Sequence, residues 1–76
     1  MTEVRAYRPG DLVIQKGTYG DTFFMVASGQ VEVLHDGLPQ PLLAGRYDYL
    51  GETAVITGQP RNADIVARTD TELLCI

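Results

Sequence analysis

The chain has few of the residues on which several common functions depend. Cys75 is its only cysteine, so no internal disulfide can form, and a reducing, cytoplasmic setting is the simplest expectation. His35 is its only histidine. A metal-dependent β-barrel enzyme needs several histidines with a carboxylate to hold an open site, and one histidine cannot supply that. A Ser/His/Asp or Cys/His constellation would also have to use His35, and neither Ser28 nor Cys75 stands at a recognisable motif spacing from it. Catalysis by this segment is not expected. Six basic residues against ten acidic ones leave a net charge of -4, with no basic run. Nucleic-acid binding by this segment is therefore disfavoured, because phosphate neutralisation along a strand needs clustered Lys and Arg. A pocket for one phosphate depends on local donors and survives this exclusion. No apolar window is long enough for a membrane span, and no signal-peptide core stands at the N-terminus. Repeats, low-complexity tracts and a long amphipathic helix are also missing.

What is present is globular: 45% hydrophobic and 21% charged residues, in a chain of 76 that is short for burying its own core. Glu3–Tyr7 alternates polar and apolar residues as a half-buried strand does, and Pro9-Gly10-Asp11 ends it in a turn. Leu12–Ile14 reads as a second strand and Lys16–Asp21 as a loop. Thr22–Ser28 is the most apolar strand, with Phe23, Phe24 and Met25 assigned to the core. Gln30–Leu34 is the next strand, placing Val31 and Val33 on one face. Asp36-Gly37 marks a hairpin turn, lengthened by Pro39 and Pro41, and Pro41–Ala44 begins an edge strand. Gly45–Tyr49 is turn-rich, and Tyr47 and Tyr49 could pack on the barrel or line a pocket mouth, with packing the expectation. Glu52–Ile56 forms one or two helical turns stopped by Gly58 and Pro60. Asn62–Ala67 is a strand, Thr69-Asp70 a turn and Glu72–Ile76 the last strand. Strands roughly 8–12 residues apart with glycine-rich turns predict an all-β fold, a small antiparallel β-roll or jelly roll with one short helix.

The stretch Leu50–Ala67 carries the chemistry. An arginine facing free backbone N–H groups can hold one phosphate, and a carboxylate upstream can accept from a sugar hydroxyl. Arg61 alone is also what a surface arginine opening a strand looks like; Gly51-Glu52 nine residues earlier favours the phosphate role. Glu52 alone would suit the first turn of its helix, and Thr53 alone reads as a cap of that turn. His35, beside a turn, is expected to be exposed, and Cys75 to be a buried small hydrophobe.

Three blocks together resemble the cyclic nucleotide-binding domain family of catabolite-activator-like regulators and kinase regulatory subunits. Tyr7–Ile14 looks like the family's opening turn and strand. Gly20-Asp21-Thr22-Phe23-Phe24-Met25-Val26-Ala27-Ser28-Gly29-Gln30-Val31-Glu32-Val33 is similar to its Gly-Asp-x-x-aromatic signature. Gly51-Glu52 through Pro60-Arg61-Asn62-Ala63 looks like its phosphate-binding cassette. The resemblance covers nearly all of residues 1–76, read as one domain. It implies that Glu52 accepts from the ribose 2′-hydroxyl, that Gly51 lies against the sugar, and that Arg61 pairs with the cyclic phosphate. Backbone N–H groups around Ala54 and Ala63 would add donors. The ligand-binding set is then Gly51, Glu52, Thr53, Ala54, Arg61, Asn62 and Ala63. The ligand would be a cyclic nucleotide, cAMP ahead of cGMP, with no further cofactor, and binding would be passed to an attached effector.

Two departures favour an alternative, a degenerate roll acting as an interaction module without nucleotide. Asn62 replaces a small or hydroxyl residue, and Asp64 stands where the family has Thr or Ser. A carboxylate at Asp64 would repel phosphate if it faced the pocket; alternation places it opposite Ala63, without fixing which face is inward. Family members also carry helices around the roll, and one lids the base. With the apolar ending Leu73–Ile76, this predicts a piece of a longer polypeptide. It also predicts weak binding alone and low stability or homo-oligomerisation through an exposed C-terminal strand.

Overall fold

A computed structural model describes residues 3–76. Eight strands and one helix follow in order: β1 Glu3–Tyr7, β2 Leu12–Ile14, β3 Phe24–Ser28, β4 Val31–Leu34, β5 Leu42–Ala44, β6 Tyr49–Leu50, α1 Glu52–Thr57, β7 Asp64–Ala67 and β8 Thr71–Cys75. All pairings are antiparallel and form two four-stranded sheets, in the orders β1-β8-β3-β6 and β2-β7-β4-β5. This is the all-β roll with one short helix that the strand spacing predicts.

Period-2 alternation supplies the core. Phe24, Val26, Leu50, Leu73 and Cys75 come from one sheet and Ile14, Val31 and Ile65 from the other, and together they form a single buried cluster. Val26, Val31 and Leu73 are completely buried. Each such side chain contributes about 1.5–3 kcal/mol relative to exposure. The core therefore lies between the sheets, and β6-α1-β7 carries the chain from one sheet to the other beside it.

Several sequence-based boundaries shift. Thr22 and Phe23 precede β3, because the Thr22 carbonyl is taken by Arg61 Nη2 at 2.5 Å. Asn62 and Ala63 precede β7, because Arg61 is tied by its backbone to the loop at Gly17 and Thr18 and not to a ladder. The last strand starts at Thr71, opposite Tyr7. The expected exposed C-terminal strand is instead internal: β8 lies between β1 and β3, so it offers no free edge. Tyr47 and Tyr49 do not pack inward. They are 64% and 57% exposed, and Tyr47 adopts φ 75° in the turn before β6. His35 is half-buried, not exposed, and its Nδ1 accepts from the Gly37 N–H at 3.1 Å. Within the described residues no helix is long and apolar enough to cross a membrane.

Candidate functional site

All seven residues expected to bind ligand line one cleft of about 180 Å³, Gly51–Ala54 from the start of α1 and Arg61–Ala63 from the approach to β7. α1 begins at Glu52 after Gly51, which takes φ 79° and ψ 6°, and it stops at Gly58 with φ 70°, whose N–H donates to the Ala54 carbonyl at 3.0 Å. The capping reading of Thr53 fails: Gly51 occupies the cap position, no side chain caps the helix, and Thr53 is exposed. The left-handed Gly51 turns the chain sharply so that its carbonyl points toward Arg61.

Arg61 is 8% exposed and takes no carboxylate partner among the described residues. Its Nη1 donates to the Gly51 carbonyl at 2.8 Å and its Nη2 to the Thr22 carbonyl. Two carbonyls orient the guanidinium, while its charge stays uncompensated and other N–H donors remain for an anion. Burying a cation this way is costly without a counter-charge. Glycine makes the room: a Cβ at Gly20 would lie 2.5 Å from Nη2, and one at Gly51 would collide with Nη1.

Glu52 is half-buried at the cleft wall, Ala54 and Ala63 are buried in it, and Asn62 is exposed at its rim. Ile14, Val33, Tyr49, Leu50 and Ile65 add an apolar lining that the motif reading did not include. Tyr49 leans on Phe23 with ring centroids 6.0 Å apart. Asp64 faces away. Its Oδ1 accepts from the Lys16 N–H at 2.7 Å, while its neighbours Ala63 and Ile65 are the buried pair that lines the cleft. Reading the sequence also missed Gly20 and Thr22 as neighbours of Arg61. The signal was the Gly20-Asp21-Thr22 block itself, there taken as turn and strand.

A two-sheet roll whose inter-sheet crossing holds a buried, anion-ready arginine beside a carboxylate defines a small-ligand-binding domain. The cyclic nucleotide-binding domain profile matches residues 4–76, and the chain belongs to that family. It is 32% identical over 75 residues to a cAMP-dependent protein kinase regulatory subunit of Pyricularia oryzae, across 97% of this chain and 19% of that protein. It is 37% identical over 79 residues to human cGMP-dependent protein kinase 2, across 97% of this chain and 10% of the kinase. The solved structure of cAMP bound PfPKA-R superposes with a TM-score of 0.90 at 28% identity, covering 99% of this chain and 26% of that one. The chain thus spans about a fifth or less of the curated relatives it matches.

Proposed function

We propose that this domain is a regulatory sensor of a cyclic nucleotide, cAMP in preference to cGMP, acting in the cytoplasm and passing the bound state to an attached effector. Within that scheme it binds and does not catalyse. The observation that carries the reading is Arg61, a buried guanidinium held by two carbonyls, with no carboxylate among the described residues to neutralise it, at the wall of a cleft. A cyclic phosphate supplies the missing charge through hydrogen bonds assisted by it. N–H groups near Ala54, which the first helical turn leaves without intrahelical acceptors, and those near Ala63 add donors. Glu52 accepts from the ribose 2′-hydroxyl, with Gly51 close to the sugar.

Cleft size supports a division of labour within the ligand. Pockets enclosing a whole drug-sized molecule begin near ~300 Å³. A cleft of about 180 Å³ suits the phosphate and ribose, leaving the base at the rim by Asn62 and Tyr49. Preference for cAMP rests on the regulatory-subunit relatives and the cAMP-bound neighbour. The rival reading, a roll that binds no nucleotide, loses one of its two supports, since Asp64 points away from the cleft.

Calorimetric titration with cAMP and cGMP, with 5′-AMP as control, tests the reading. Saturable heat with a cyclic nucleotide and none with 5′-AMP is the expected result. Absence of heat with either cyclic nucleotide at millimolar concentration would overturn it.

A further inference from the structure

We infer that Asp64 is a positioning residue for Arg61, acting through the loop between β2 and β3; this rests on the phosphate role proposed for the arginine. The connection is a chain of hydrogen bonds. Asp64 Oδ1 accepts from the Lys16 N–H at 2.7 Å, across 48 positions of sequence. The next residues of that loop then hold Arg61: the Gly17 N–H donates to the Arg61 carbonyl and the Arg61 N–H to the Thr18 carbonyl, each at 2.8 Å. At the loop's far end the Thr22 carbonyl takes Nη2, with Gly20 leaving space for the guanidinium between these contacts.

Both ends of the clamp thus bear on β7 and the residue that leads into it. Asp64 opens β7 three positions after Arg61, on the face opposite the cleft, so it can anchor the loop without meeting the ligand. The Lys16 side chain is not part of this anchor, because its Nζ pairs with Asp36. The bond uses the Lys16 backbone N–H, which every residue but proline carries. What matters at position 64 is an acceptor of this length, and its charge is secondary.

The test compares wild type, Asp64→Ala and Asp64→Asn in the full chain, with cAMP as the probe. Asp64→Ala weakens cAMP binding about tenfold, whereas Asp64→Asn, which keeps an oxygen acceptor, stays within about twofold. Without ligand, the Arg61 Nε–H resonance shifts in Asp64→Ala and not in Asp64→Asn. In the wild type the Lys16 amide is protected from hydrogen exchange, a measurement that does not require the alanine variant to fold. An unprotected Lys16 amide overturns the inference, as does an alanine variant in which both affinity and the Arg61 signal are unmoved. Tighter binding by Asp64→Asn also overturns it, since that is the signature of a carboxylate repelling phosphate. If the wild type binds no cAMP, the sensor reading fails, and the exchange and resonance measurements still decide whether Asp64 positions Arg61.

Discussion

Replacing Arg61 by methionine separates a ligand group from a structural one. Methionine keeps most of the unbranched stem and removes the guanidinium. On the cost side, the Gly51 and Thr22 carbonyls each lose a charged donor. A hydrogen bond to a charged group contributes about 1.5–3 kcal/mol, but the cleft is open, so water replaces much of that and leaves a loss of about 1–2 kcal/mol for the pair. On the other side, a nearly buried cation with no carboxylate partner among the described residues carries a desolvation penalty of several kcal/mol, relieved by an apolar side chain of similar volume. The relief is no smaller than the loss, so ligand-free Arg61→Met should be at least as stable as wild type, to within about 1 kcal/mol. Binding behaves differently, because two charge-assisted hydrogen bonds to phosphate together contribute about 3–4 kcal/mol, a loss of several hundredfold in affinity. Urea denaturation followed by circular dichroism, with and without cAMP, reads both quantities. At a cAMP concentration of 100 times the wild-type Kd, the wild type gains about 2.7 kcal/mol and the variant about 0.2 kcal/mol. A ligand-free destabilisation above about 3 kcal/mol would show that Arg61 holds the fold together. Undiminished stabilisation by cAMP would show that the phosphate sits elsewhere.

Gly51→Ala should cost about 1–2 kcal/mol from its left-handed φ of 79° alone, with more from the collision with Arg61, and should weaken cAMP binding as well. Gly58→Ala meets open space at φ 70°, so a comparable strain should appear in urea titration with cAMP affinity unchanged. Glu52→Ala should weaken cAMP about tenfold in calorimetry yet leave 2′-deoxy-cAMP almost unaffected; an equal loss for both ligands would remove the ribose role. Leu73→Ala, at a completely buried position on the internal strand β8, should cost about 2–5 kcal/mol in denaturant without changing the affinity of the folded fraction.

The fold was legible where local chemistry decides it. The strand at Glu3–Tyr7, most of the one expected at Gln30–Leu34, the Asp36-Gly37 turn and the Gly58 stop of α1 stand where their residues place them, although the half-burial expected from alternation in Glu3–Tyr7 fails, with Val4 56% exposed. The strand starts at Thr22 and Asn62 were misplaced because partners far along the chain decide them. The Thr22 carbonyl is taken by a side chain 39 residues later, and the start of β7 is fixed by a backbone clasp with the loop at Gly17 and Thr18. Pairing order has the same origin. Nothing local in Leu73–Ile76 distinguishes a strand exposed at an edge from one flanked on both sides, and only the sheet order β1-β8-β3-β6 shows the second.

The candidate site divides along the same line. That Gly51, Glu52, Arg61 and Asn62 share one cleft was legible through the resemblance of this contiguous stretch to a family cassette. Gly20 belongs to the site through space alone. It is not held in a left-handed conformation, so its need for glycine comes from the guanidinium 41 positions later and not from the geometry of its own turn. Asp64 is the other case that only the three-dimensional structure decides. Its charge counts against binding only if it faces the phosphate, a facing the sequence leaves open, and the structure turns it instead to the Lys16 N–H of the loop that clasps Arg61. A carboxylate beside an anion site weakens that site only if it shares the site's face, and the alternation of Ala63, Asp64 and Ile65 puts this one on the other side of the strand.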